Sequence, residues 1–194
     1  MTKRQLRIGL LIGFLGLGIG GSALAQTKIT KPSSGLPVKI TKSGSYFLGG
    51  NLAVTTKTTT AIVVSVSNVT INLNGFTISG VGSTATAGVG ISASGVTGVI
   101  VANGTITGFG SDGISLGSNS TVQNVQIYNN GGDGVNCSTS TACYVTGSVI
   151  VSNKTGLDFK DSSSGYLNNV LNLNGPDVSG GTNLGGNVCS GGVC

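Results

Sequence analysis

A small residue followed by an aliphatic one returns along this chain at a nearly fixed interval: Ala61-Ile62, Gly90-Ile91, Gly113-Ile114, Gly134-Val135 and Gly156-Leu157. The steps are 29, 23, 21 and 22 residues. The first falls into line if a loop of about seven extra residues lies between Gly80 and Ala87. Within each step a second pattern follows. Val101, Asn103 and Ile106 spell V-x-N-x-x-I, Val122, Asn124 and Ile127 repeat it, and Val145, Gly147 and Ile150 repeat it with Gly in place of Asn. A period near 22 with short β-rich segments separated by Gly, Asn and Asp describes one coil of a parallel β-solenoid, in which each coil stacks its apolar side chains on the next. No segment after residue 26 carries the 3.6-residue apolar period, length and caps of a helix. The predicted fold is all-β: a single-domain right-handed parallel β-helix of about 22-residue coils. An antiparallel sandwich needs no such repeat, and a left-handed hexapeptide helix would show a six-residue one.

With 194 residues the chain is one domain's length. Residues 1–25 read as an export signal: Lys3, Arg4 and Arg7 make a basic start, Ile8 to Gly21 an apolar stretch, and Ala23-Leu24-Ala25 a small-residue cleavage site. Residues 26–35 read as a flexible start and 36–194 as the β-helix with terminal caps. Tyr46 and Phe47 are expected to plug the first coil and the Cys189–Cys194 loop to cover the last. Once the signal is removed, the apolar stretch is gone and no spanning segment is expected. The formal charge of +5 shrinks to seven Lys against five Asp, which removes the electrostatic case for nucleic acid. These features predict an exported protein: periplasmic, on the cell surface or extracellular.

The catalytic inventory is thin. The chain has no His, Glu or Trp, and its only Arg and Met residues lie in the signal. A Ser–His or Cys–His nucleophile pair and a His-ligated metal are excluded. Four Cys in an exported chain predict disulfides. The spacings of Cys137 to Cys143 and of Cys189 to Cys194 suggest two local rings, although four Cys allow three pairings and the spacing fits a zinc site poorly.

The run G-S-Y-F-L-G-G-N-L over 44–52, then Ile62-Val63-Val64, then N-V-T-I-N-L-N-G-F-T-I-S-G over 68–80 resembles the opening of secreted right-handed parallel β-helix repeat proteins, which share the pectin-lyase-like superfold. The resemblance covers about residues 36–194. It implies the fold, and it also implies a range of roles: polysaccharide lyases, glycoside hydrolases, epimerases and adhesins. Lyases of this superfold use Arg or Lys beside acidic calcium ligands, and its pectin hydrolases and alginate epimerases use His; the missing His departs from the latter two patterns, and the missing Arg leaves only Lys for the first.

Asp112 and Asp133 directly precede repeat glycines, so the register stacks their carboxylates. Such a pair suits a shared-proton acid and base, a Ca²⁺ site or a polar contact for sugar hydroxyls; its bland reading is turn chemistry at Asp-Gly. Lys160 lies between Asp158 and Asp161, with Lys154 one strand earlier. That group suits a lyase base with calcium, or a wet-surface salt bridge between Asp158 and Lys160. Tyr128, Tyr144 and Tyr166 are candidate stacking surfaces for sugar rings. Gly90, Gly113, Gly134 and Gly156 are structural, and Asn103 and Asn124, at matching repeat positions, are expected to form a ladder of side-chain amides. The match of residues 108–114 to G-x-G-x-D-x-U occurs once, too few times for a calcium β-roll. The favoured role is a non-catalytic protein of the cell envelope or exterior that binds glycan or envelope matrix or is structural, with no required cofactor. A lyase or hydrolase built on the stacked Asp residues is the first alternative, and an adhesin or assembly module the second.

Overall fold

The structure is a computed structural model that describes residues 25–31, 35–84 and 88–194. The export signal read over residues 1–25 lies, apart from Ala25, outside the described residues. Among the described residues every regular element is a β-strand, and all pairings but one are parallel. One seven-stranded sheet collects a single strand from each successive coil: Val38–Ile40, Ile62–Val64, Ile91–Ala93, Ile114–Leu116, Asp133–Cys137, Thr155–Phe159 and Val178–Ser179. A fourteen-stranded sheet wraps the rest of each coil. The chain therefore builds a parallel β-helix of seven coils, with neighbouring coils one strand spacing, about 4.8 Å, apart.

The register explains the repeat. Val38, Ile62, Ile91, Ile114, Val135, Leu157 and Val178 pair in order and point inward, and between the two ends of this column all are fully buried. The repeat glycines stand one residue earlier, where the coils approach most closely. A Cβ on Gly113 would sit 2.8 Å from the Gly134 carbonyl oxygen and 2.7 Å from Ile127 Cγ2; on Gly134 it would sit 2.6 Å from the Gly156 oxygen. At Gly90, Gly113, Gly134 and Gly156 a side chain would displace the next coil's backbone, while Ala61 and Asp177 take the same place nearer the two ends of the column.

Of the expected amide ladder one exposed rung forms, Asn103 Nδ2 donating to Asn72 Oδ1 (3.3 Å) on the preceding coil, and Asn103 and Asn124 do not bond to each other. Both lie on exposed corners with left-handed backbone, φ 61° and 55°. Each interrupts a long strand, Val99–Thr107 or Thr121–Tyr128, and lets it turn from one face of the solenoid to another. Gly147 occupies the equivalent corner at φ 60°, which is why Gly substitutes for Asn in the motif. The buried amide ladder stands elsewhere. Asn153 Nδ2 donates to Asn174 Oδ1 (3.1 Å), and Asn130 Nδ2 donates to Asn153 Oδ1 (2.9 Å). A second ladder joins the backbone N–H of Ser148 to Asn169 Oδ1 (3.0 Å) and Asn169 Nδ2 to Asn187 Oδ1 (3.0 Å).

The start of the chain also differs from expectation. Thr27–Ile29 is a strand in parallel register with Tyr46–Leu48, not a flexible lead, because Ile29 carries an apolar side chain onto Leu48 at the end of the core. Tyr46 packs against that core and its hydroxyl donates to the Lys42 carbonyl (2.7 Å), whereas Phe47 alternates to the outer face. Both local disulfides form, Cys137–Cys143 and Cys189–Cys194.

Candidate ligand-binding face

One residue past each inward aliphatic, the seven-stranded sheet turns a side chain outward. The register lines up Lys39, Val63, Ser92, Ser115, Asn136, Asp158 and Ser179, one per coil. Beside this column lie Asp112, Asp133 and Thr155, each just ahead of a repeat glycine. The structure thus brings Asp112 and Asp133 onto neighbouring coils and adds Asp158 and Asn136 to them.

The carboxylates are held by short polar contacts. Asp133 N–H donates to Asp112 Oδ1 (3.0 Å), and Asn136 Nδ2 donates to Asp133 Oδ2 (2.9 Å). Gly132 makes the first bond possible, since a Cβ there would lie 2.5 Å from Asp112 Oδ1. Burial pushes the Asp112 carboxyl above its ordinary range, and the charges of Asp133 and Asp158 push it the same way; hydrogen bonds from the Asp133 backbone and the Asn136 side chain offset part of this. Asp133 is raised for the same first reason and by Asp158, against the opposing pull of Thr155, Lys154 and Asn136. These are half-covered acceptors tied into the sheet, at the surface of a β-face. A cavity of about 630 Å³ opens instead at the N-terminal end of the solenoid, and none of these residues lines it.

Lys160 does not join them. It stands exposed beyond the end of Thr155–Phe159, and its charge acts on Asp161, whose carboxyl is lowered chiefly by hydrogen bonds from Ser163. The cation felt by the carboxylate group is Lys154.

The three tyrosines are not gathered into one surface. Tyr166 is only 7% exposed and its ring stacks on Phe159, 6.1 Å between centroids, because its strand register continues the inward column of Val122 and Val145. Tyr144, 46% exposed, pairs with Thr121 before the Asn124 corner, and half-buried Tyr128 lies after it, facing another side. Among the described residues, no group of three or more His, Cys, Asp and Glu side chains converges as a metal-ion cage, and no helix is long and apolar enough to cross a membrane.

The sequence reading groups Asp158 with Lys160 rather than with Asp133 and passes over Asn136, yet a signal that places both exists. Each lies two residues after a repeat glycine, as do Ser92 and Ser115, so the glycine register alone places all four in one outward line.

Comparison with known proteins bears on the whole solenoid. A family model described as right handed beta helix region matches residues 29–189. No curated protein matches the chain, and no solved structure does.

Proposed function

The chain belongs to the right-handed β-helix family, and from that premise we propose that it is an exported, non-catalytic protein that lays an extended glycan along the outer face of its seven-stranded sheet. The observation that carries this reading is the unbroken outward column of Ser92, Ser115, Asn136, Asp158 and Ser179, flanked by Asp112 and Asp133. One hydrogen-bonding side chain per coil repeats about every 4.8 Å, close to the length of one sugar unit in an extended chain. A polymer threaded along the solenoid axis meets the same kind of contact at each step. Hydroxyl and amide groups accept from and donate to sugar hydroxyls, and carboxylates accept from them. Two-carboxylate cleavage of a glycosidic bond needs one carboxyl on each side of it, whereas Asp112 accepts from Asp133 N–H and Asp133 from Asn136 Nδ2, contacts that suit holding a sugar hydroxyl. The reading invokes no calcium, and one oxygen of each paired carboxylate accepts from a protein donor.

The test incubates the purified protein with neutral and uronate polysaccharides, with and without Ca²⁺, and measures both retained protein and newly formed chain ends. Retention without new ends, weakened by Asn136→Ala, is expected. Failure to retain any polysaccharide refutes glycan binding and leaves a structural role. New chain ends that disappear in Asp133→Asn replace this reading with a lyase or hydrolase.

A further inference from the structure

The two ends of the solenoid are finished differently. At the C-terminal end, Asp177 continues the glycine column, and with no further coil above it, its Oδ2 accepts from Ser190 N–H (2.7 Å) while Asn174 Nδ2 donates to its Oδ1 (2.9 Å). Ser190 Oγ accepts from Leu173 N–H (3.1 Å), and the Cys189–Cys194 disulfide closes an antiparallel turn of Val188–Cys189 with Gly192–Val193. That turn ends the run of parallel strands on its side.

The N-terminal end has no such closure among the described residues. Among the described residues Val38–Ile40 is the last strand of the seven-stranded sheet and Thr27–Ile29 the last of its neighbour, and no described strand pairs with the outer edge of either. Val38 N–H donates to Ala61 O (2.9 Å) and Ile40 O accepts from Ser65 N–H (2.9 Å). Residues in a parallel strand bond alternately to either side, so the N–H and C=O of Lys39 face the free edge. Ile29 O accepts from Gly49 N–H (3.0 Å), which turns the backbone of Lys28 outward in the same way. Between the two edges opens the cavity of about 630 Å³, lined by Ile29, Leu36, Val38 and Ile40 among others, with Lys28 and Lys39 on its border. Lys31 and Lys42 are exposed nearby, and residues 26–111 contain five Lys and no acid.

We propose that this mouth is a docking site for an extended acidic segment of another protein, which adds as a strand to the free edge at Lys39, sets alternate aliphatic side chains into the cavity and presents its carboxylates to Lys28 and Lys39. Unpaired edges of this kind are templates for strand addition. The charge selects the occupant: a second copy meeting mouth to mouth brings lysine against lysine, and the opposite end of a second copy is covered by its own turn and Asp177. This site meets the glycan face only at Lys39, the first residue of its outward column, and protection of the Lys39 amide by a peptide and retention of a glycan are read independently, so either reading can fail alone.

The test titrates the purified exported protein with a labelled short peptide of alternating Asp and Val, reading fluorescence anisotropy and hydrogen exchange at the Lys39 amide. Binding that protects this amide is expected. It should weaken about tenfold in Lys28→Glu with Lys39→Glu, as two surface ion pairs become repulsions. A peptide N-methylated at alternate residues should not bind, an arm that does not depend on how the variants fold. No binding, equal binding of the N-methylated peptide, or equal binding of a Lys and Val peptide overturns the proposal. A concentration-dependent dimer whose Lys39 amide is already protected also overturns it and assigns the mouth to a second copy.

Discussion

Asn153→Ala removes the middle rung of the buried amide ladder. Asn153 is 5% exposed, and its Oδ1 accepts both from Asn130 N–H (3.1 Å) and from Asn130 Nδ2 (2.9 Å). Its Nδ2 donates to the carbonyls of Ile127 and Val151, each at 3.2 Å, and to Asn174 Oδ1. Truncation therefore strands two donors of Asn130, itself 2% exposed, and withdraws a donor from two carbonyls. A buried polar group left unsatisfied costs about 1–3 kcal/mol, so two orphaned donors set the loss at about 3–5 kcal/mol after partial relaxation. That is a large share of the ~5–15 kcal/mol that holds a typical domain folded. The control is Asn124→Ala, which leaves the ladder intact and costs only the left-handed backbone preference, about 1–2 kcal/mol; Asn124→Gly should be close to neutral. Urea unfolding followed by far-ultraviolet circular dichroism separates these values through the midpoint at constant slope. If Asn153→Ala stays within about 1 kcal/mol of the parent, or if Asn124→Ala costs as much, the assignment of buried ladder and exposed corner is refuted.

Gly134→Ala drives a methyl group to 2.6 Å from the Gly156 oxygen and should cost about 1–3 kcal/mol, whereas Gly50→Ala, with open space around it, should be neutral or slightly stabilising in the same urea titration. Because the folded Asp133 carboxyl is raised above 3.8, the folded state holds its proton longer than the unfolded one, and stability falls as pH rises from 3.8 through the folded value. Asp133→Asn should therefore stabilise at neutral pH and lose that gain below 3.8. Asp177, lowered by its hydrogen bonds from Ser190 and Asn174, has the opposite sign: Asp177→Asn should destabilise at neutral pH, with the difference fading as acid protonates the parent. Measuring unfolding free energy against pH for both variants checks the two signs together. Replacing Cys137 and Cys143 by Ser opens one small ring and should cost about 2 kcal/mol, read as a lower urea midpoint with the solenoid's circular dichroism retained.

Much of this architecture is legible in the chain because a solenoid turns sequence interval into spatial register. The glycine period alone fixes the inward aliphatic column, the close approach of coils and the outward line from Ser92 to Asp158. What it does not fix is inside from outside across a corner. Asn103 and Asn124 share a motif position, yet the left-handed turn at that position resets the alternation and puts them in solvent. Asn130, Asn153 and Asn174 look no different by residue type, but each precedes the repeat column by three or four residues, and Asn130 and Asn153 end buried and Asn174 half-buried. The same reset hides Tyr166, which reads as an exposed ring until Val122 and Val145 are seen to share its column. Side-chain reach is the other thing a period cannot supply: Asp112 meets the next coil only because Gly132 leaves room for its carboxylate.

The conversion of order into position also applies to charge. Between residues 26 and 111 every charged side chain is Lys, and all five Asp follow from 112 to 177. In a globular fold such segregation along the chain would be scrambled by packing, but in a stack of coils it becomes polarity along the axis. The outward column displays it directly, beginning at Lys39 and reaching Asp158 after three uncharged hydrogen-bonding residues and one Val. A neutral glycan lying on that column meets hydroxyls and amides in its middle. A charged polymer is drawn toward one end, so a uronate chain should bind with its contacts shifted toward Lys39, and salt should weaken it more than it weakens a neutral one.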